Sequence, residues 1–155
     1  MSDTVESRLA AMGITLPTPP VPAANYVPFV KTGRLVYVSG QVPAGPSGIE
    51  HVGKLGADYT LEQGQAAARL CAINLLAVMK VATGGDLEKI TRCVKLNGFV
   101  NCTPDFGDQP KVVNGASDLI ADALGDKGKH ARAAVGSSSL PFGVAVEVEG
   151  IFEVA

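Results

Sequence analysis

The sequence has no tryptophan, and its five phenylalanines and three tyrosines are scattered. That removes the aromatic platform on which single-stranded nucleic acids stack. It has no run of lysine or arginine. The densest basic stretch is Lys127-Gly128-Lys129-His130-Ala131-Arg132, and the formal net charge is −2, whereas a nucleic-acid footprint needs a basic face. No nucleic-acid partner is therefore expected. Cysteine is scarce. Cys71, Cys93 and Cys102 are odd in number and form no CxxC, and neither His51 nor His130 completes a metal-ligand spacing. No metal is expected, and three reduced thiols fit a cytoplasmic protein. No apolar run reaches the roughly 20 residues of a membrane span. The start Met1-Ser2-Asp3-Thr4-Val5-Glu6 lacks the apolar segment of a signal peptide. No GxSxG elbow, phosphate-binding loop or dinucleotide fingerprint occurs.

What the chain does have is apolar residues in regular patterns. Of its 155 residues, 46% are hydrophobic and 18% charged, the latter below the usual share of about 25%. A chain this long suits one domain. So little charge implies that some apolar surface is hidden against other copies. Residues 3–12 can form a short helix with Val5, Leu9 and Met12 on one side. Four prolines between Pro17 and Pro22 then force an extended arm. Residues 26–31 and 34–39 read as a hairpin turning at Thr32-Gly33, followed by a glycine- and proline-rich loop over 43–58.

Thr60-Leu61-Glu62-Gln63 fits a capping box. The spacing predicts a helix to about Ala82, with Ala66, Leu70, Ile73, Ala77 and Val81 on one face and Leu75, Leu76 and Met79 widening it. Residues 90–100 read as a strand in which Val94, Leu96 and Val100 alternate against Lys95, Asn97 and Phe99. A second helix begins at Asp108-Gln109-Pro110 and buries Val112, Ala116, Leu119, Ile120 and Ala123. Two strands close the chain, 131–138 and 144–154. In the last, Val144, Val146, Val148, Phe152 and Val154 alternate with Ala145, Glu147, Glu149, Ile151 and Glu153. The order predicts an α+β fold, a mixed sheet with two helices packed on one face. Its other face is left bare and partly apolar.

Arg132 opens a strand whose other members are small or apolar. Its planar fork can grip a carboxylate with two bonds. Read from the residues alone, an internal salt bridge is the leading account of it, ahead of a ligand carboxylate. An antiparallel return through 140–143 would bring Glu147 and Glu149 to it, either as its plain partners or, for one of them, as a general base. Ser137-Ser138-Ser139, with no histidine near it in sequence, reads as a strand end.

Several short segments together resemble the YjgF/RidA-like (Rid) family. They are Ala131-Arg132-Ala133-Ala134-Val135, Leu140-Pro141, Val146-Glu147-Val148-Glu149-Gly150-Ile151, Val38-Ser39-Gly40-Gln41-Val42-Pro43, and Val113-Asn114. The match runs from about Tyr26 to the end. It implies residues 1–25 as an N-terminal helix and proline-rich arm, and 26–155 as a single Rid-like domain. It further implies a chorismate-mutase-like fold, a homotrimer with clefts between subunits, and a cofactor-free enamine/imine deaminase that hydrolyses 2-iminoacids to 2-ketoacids and ammonia. By the same resemblance Arg132 binds the substrate carboxylate, Glu147 holds the attacking water, and Tyr26, Ser39, Gly40, Gln41, Phe99 and Asn114 line the cleft. The chain departs from the best-known members in carrying Ala134 where they have cysteine. A non-catalytic protein binding a small carboxylate or ketoacid is the alternative, and an RNA-cleaving role is disfavoured by the acidic balance.

Overall fold

The structure, a computed structural model, describes residues 3–21 and 24–155. Pro22, the last proline of the predicted arm, lies outside the described residues. Five strands form a mixed sheet: β1 (Phe29–Thr32), β2 (Leu35–Gln41), β5 (Ile90–Asn101), β6 (Ala131–Ser137) and β7 (Val146–Val154). Their spatial order is β1-β2-β7-β5-β6. A small hairpin, β3 (Ala44–Gly45) with β4 (Gly48–Ile49), punctuates the loop after β2. Helices α2 (Leu61–Ala82) and α3 (Gln109–Leu124) cover one face of the sheet, as expected, and α1 (Val5–Ala11) adds Val5 and Leu9 to the same core.

Local chemistry sets the element ends. Thr60 Oγ1 accepts from the Gln63 amide at 3.2 Å, and Gln63 Oε1 accepts from the Thr60 amide at 2.9 Å. Two orphan donors of α2 are thereby satisfied, which is the predicted capping box. The β1–β2 turn is Gly33-Arg34, because Thr32 pairs with Leu35. Gly33 takes φ +59°, a left-handed conformation that glycine adopts without strain. The sequence reading placed this turn one residue early.

The phase of α2 also differs from the reading. Leu75, Leu76, Ala77 and Met79 are buried as predicted, but the buried face also takes in Ala67, Ala68, Cys71, Ala72 and Val78, while Val81 is 55% exposed and Ala66 is exposed too. The helix is apolar almost all round, so periodicity alone could not fix which stripe faces inward. It packs against both the sheet and α3, and that requires a wide buried arc. Its length and hydropathy would also suit a membrane span, contrary to the reading of no such apolar run. Eleven buried residues facing the sheet and α3 account for that apolarity. Leu75 and Leu76 are fully buried, and truncating either to alanine costs about 2–5 kcal/mol.

In β5 the register slips between Cys93 and Lys95. This bulge takes Val94 out of the predicted core face and puts Cys93 there in its place, while Leu96 and Val100 are buried as predicted. All five residues predicted for the buried face of α3 are buried. In β7 the even-numbered residues are buried and the odd-numbered ones half-buried, as the alternation required.

The largest correction concerns β6. It does not return antiparallel beside β7. It lies parallel to β5 at the sheet edge, with Leu96 paired to Arg132 and Phe99 to Val135. β7 instead sits between β2 and β5. The β5–α3–β6 segment is a crossover unit, in which an intervening helix brings two strands parallel. The strand with the cleanest alternation takes an inner place with partners on both sides. The glycine- and serine-ended strand takes the edge, where fewer ladder bonds are needed.

Candidate functional site

Arg132 points to the helix-covered side of the edge strand and meets the first turns of α3. Its Nη1 donates to Asn114 Oδ1 at 2.8 Å and to Ser117 Oγ at 3.2 Å, and Nη2 donates to the Pro110 carbonyl at 3.4 Å. None of these acceptors is charged. Among the described residues no carboxylate pairs with Arg132; the ion pairs are Arg8–Asp3, Lys80–Glu6, Lys111–Asp108 and Lys129–Asp126. The internal salt bridge favoured from the residues alone is therefore not formed. The physical reason is topological: with β5 between β6 and β7, Glu147 and Glu149 are two strands away. A guanidinium has five N–H donors. Three of Arg132's are used on neutral acceptors, and the Nε donor and one on Nη2 remain without a partner among the described residues. A bidentate carboxylate needs two.

Glu147 lies on the opposite, helix-free face, paired across the ladder with Phe99. Its carboxylate packs against Gly40, where a Cβ would collide with it. The side chain makes no hydrogen bond among the described residues, whereas its neighbour Glu149 accepts from Asn97 Nδ2 at 2.9 Å. Burial, and then the negative charge of Glu149, raise the Glu147 carboxyl above its ordinary value. Ser39 Oγ donates to the Val27 carbonyl at 2.7 Å, and Gln41 Nε2 donates to the Ser39 carbonyl at 2.9 Å. The first ties the bulged end of β2 to the segment before β1, and the second closes the bulge on itself. Tyr26 is 59% exposed, just before β1.

The predicted residues other than Tyr26 thus fall into two groups. Arg132 and Asn114 meet on the helix side of the sheet edge. Glu147, Phe99 and Gly40 meet on the bare face, with Ser39 and Gln41 flanking Gly40. One copy of the chain does not bring the groups together. A cavity of about 430 Å³ at the C-terminal ends of β5 and β6 is lined by Lys54, Cys102, Thr103, Gln109, Gly136 and Ser138 among others, and by none of the predicted residues. The bare face around Glu147 is partly apolar, with Val30, Tyr37 and Val135 each 44–54% exposed.

Two neighbours of Arg132 were not singled out from sequence as site residues, Ser117 and His130. The available signal was spacing. Ser117 follows Asn114 by three on α3, and His130 precedes Arg132 by two on an extended segment, so each shares a face with its partner. The three cysteines are buried and free. Burial raises the Cys93 thiol to about 12 and the Cys71 thiol well above its ordinary value, so neither is a ready nucleophile. Among the described residues no three His, Cys, Asp or Glu side chains gather as a metal site.

Comparison with known proteins agrees with this architecture. The family model described as "YjgF/chorismate_mutase-like, putative endoribonuclease" matches residues 6–151. Protein TCP17 of Trypanosoma cruzi is 48% identical over 98% of this chain and 95% of its own length. The solved structure of Atu1372 from Agrobacterium tumefaciens, a protein of unknown function, is 52% identical. It superposes with a TM-score of 0.92, over 97% of this chain and 92% of that one. E. coli TdcF, solved with bound serine, is 27% identical with a TM-score of 0.60, over 89% of this chain and 94% of that one.

Proposed function

This chain belongs to the YjgF/chorismate-mutase-like family, and from that premise we propose that it is a cofactor-independent enamine/imine deaminase that hydrolyses 2-iminoacids to 2-ketoacids and ammonia. The observation that carries the reading is Arg132, a guanidinium that among the described residues has two donors free and no carboxylate partner. It binds the substrate carboxylate through those donors and so fixes the imine carbon for attack. Binding of serine, an α-carboxylate, by TdcF supports a small-carboxylate site in this fold.

Glu147 supplies the proton chemistry. A protonated imine is already electrophilic. Water adds to its carbon as the Glu147 carboxylate takes a proton from that water. The proton passes to the nitrogen, the carbinolamine collapses, and ketoacid and ammonium leave. A carboxyl whose protonation burial favours suits a group that must take up a proton and return it. Because Arg132 and Glu147 occupy opposite faces of one protomer's sheet, the complete site forms between copies. The partly apolar bare face is the surface that a homotrimer covers, and the cleft lined by Tyr26, Ser39, Gly40, Gln41, Phe99 and Asn114 is an intersubunit one. A cytoplasmic location belongs to the same proposal.

The separation of the two groups also favours a second reading, a protein that holds a ketoacid on Arg132 without turnover. An endoribonuclease role fits less well, since Glu147, Glu149 and Glu153 line the bare face and the net charge is −2. The deciding experiment generates 2-iminoacids in situ with an amino-acid oxidase and follows ketoacid release. Acceleration by the wild type, lost in Glu147→Gln but with pyruvate still bound, supports the deaminase. Pyruvate binding that depends on Arg132, with no acceleration for any iminoacid, supports the binding protein.

A further inference from the structure

A guanidinium with free donors grips a carboxylate well only if it is held still, and the surroundings of Arg132 contain a chain of bonds able to do that. His130 Nδ1 lies 2.6 Å from the Gly128 carbonyl. A carbonyl only accepts, so in the neutral ring Nδ1 carries the proton and Nε2 is a lone pair. Nε2 lies 2.9 Å from Ser117 Oγ, and the serine hydroxyl must therefore be the donor. With its hydrogen committed to His130, the serine oxygen presents its remaining lone pairs to Arg132 Nη1 at 3.2 Å. With the ring neutral, every bond in the series has one allowed direction: Arg132 to Ser117, Ser117 to His130, His130 to the Gly128 carbonyl. A serine inside a helix otherwise tends to turn its hydroxyl back to the carbonyl four residues earlier. Here the bonds it makes are to His130 and Arg132.

The anchor of this chain is rigid. Gly128 is buried with its Cα against the backbone of Ile120 and Ala121 in α3, too close for a Cβ. Asn114 and Ser117 lie on the same helix, and Asn114 takes the other bond from Nη1. One helix therefore supports both ends of the series.

We propose that Ser117 and His130 are positioning residues for Arg132, locking its Nη1 so that the partner-free Nε and Nη2 donors face an incoming α-carboxylate. The inference rests on the reading of Arg132 as the carboxylate-binding group. It goes beyond it in assigning affinity for that carboxylate to a serine and a histidine that do not touch the ligand.

The test compares wild type, Ser117→Ala, Ser117→Thr, His130→Ala, the Ser117→Ala/His130→Ala double variant and Arg132→Ala. The readouts are Kd for pyruvate by calorimetry, kcat and KM separately in the iminoacid assay, and Tm. Calorimetry reads affinity whether or not the protein turns over substrate. The expected result is a Kd for pyruvate, and a KM, raised about fivefold by Ser117→Ala and by His130→Ala, the effect of one lost neutral hydrogen bond. Along with that, kcat stays near wild type, Ser117→Thr is close to wild type in all readouts, and the double variant is no worse than either single one, since both act through one series. Unchanged Kd in Ser117→Ala and His130→Ala, with binding abolished in Arg132→Ala, overturns the inference and leaves the carboxylate reading standing. Additive losses that follow Tm rather than Kd also overturn it, because they mark a packing role. Unchanged pyruvate binding in Arg132→Ala overturns the carboxylate reading and the positioning role with it.

Discussion

Replacing Arg132 separates a structural from a ligand-binding role because the two predict opposite patterns. A guanidinium committed to a buried internal carboxylate leaves, when removed, an uncompensated charge, at a cost of about 3–5 kcal/mol in stability. Among the described residues Arg132 has no such partner. Its acceptors are Asn114, Ser117 and the Pro110 carbonyl, all neutral, and neither Asn114 nor Ser117 is fully buried, so water can replace what is lost. Three bonds are lost, but water takes up the freed acceptors and no charge is left buried, so the stability cost of Arg132→Ala is about 1 kcal/mol, the net worth of one ordinary hydrogen bond. The affinity cost is larger. A hydrogen bond to a charged group contributes about 1.5–3 kcal/mol, and the two free donors make two. Their loss weakens carboxylate binding by at least about a hundredfold, each 1.4 kcal/mol being a factor of ten. Arg132→Lys retains the charge and one donor in line, but not the fork. It should fall between, roughly tenfold to a hundredfold weaker than wild type by the worth of one such bond. Calorimetric titration with pyruvate gives the affinities and urea unfolding the stabilities. A destabilisation of Arg132→Ala near the buried-pair figure, together with pyruvate affinity within about threefold of wild type, well inside one such bond, would refute the ligand role.

Three further outcomes follow from the geometry. Glu147 has a raised carboxyl pKa, so the folded state holds its proton more tightly than the unfolded chain, and stability falls as pH rises from the ordinary glutamate range through the raised value. Glu147→Gln should therefore melt higher than wild type at pH 7, with the gap closing by about pH 4, near the ordinary glutamate value; thermal melts at both pH values check the sign, and a variant less stable at pH 7 contradicts it. Gly40→Ala places a Cβ against the Glu147 carboxylate, the free end of a flexible side chain; the expected result is a fall in kcat of the iminoacid assay with little change in Tm. Gly115→Ala meets instead the Gln65 carbonyl of α2, which cannot swing aside; overpacking of about 1–3 kcal/mol should outweigh the helix-propensity gain of up to about 1 kcal/mol, read as a lower urea midpoint.

Much of the fold was legible because it depends on local signals. The capping box at Thr60, the proline start of α3 and the alternation of β7 each act over a few residues, and each formed as expected. Where signals had to be combined over distance, the reading slipped. Helix α2 is apolar on too many sides for its phase to be read, since what fixes it is simultaneous contact with the sheet and α3. The bulge at Cys93–Lys95 leaves no mark in composition. The pairing of β6 went wrong for a more general reason. Two consecutive strands joined by a short turn were assumed to be neighbours, but the helix before β6 had already committed it to lie parallel to β5.

That same pairing governs how far the candidate site could be seen. A short motif identifies residue types along the chain, and Arg132 with Asn114 came out adjacent because α3 and β6 belong to one crossover unit, whose packing fixes their contact. Arg132 and Glu147 were expected together through a hairpin that does not exist. With β5 between their strands and their side chains on opposite faces, no rotamer change within one copy can join them across the sheet. Either the two groups serve different purposes, or the catalytic unit is larger than the chain. The second possibility has a measurable consequence. Val135 is 46% exposed and pairs with Phe99, the residue opposite Glu147, so it lies on the bare face, on its edge strand and one strand beyond Phe99. Val135→Glu adds a desolvated charge to any interface formed there, a change that disrupts such surfaces, while in an isolated copy the same side chain reaches water. Sedimentation should show the wild type as a trimer and Val135→Glu as a monomer that keeps its fold by circular dichroism. If iminoacid turnover disappears with the trimer while Arg132 and Glu147 are both intact, the site is shared between copies. If a monomer forms and turnover persists, the shared-site reading is wrong, and one copy must bring a second base to Arg132 from its own helix side.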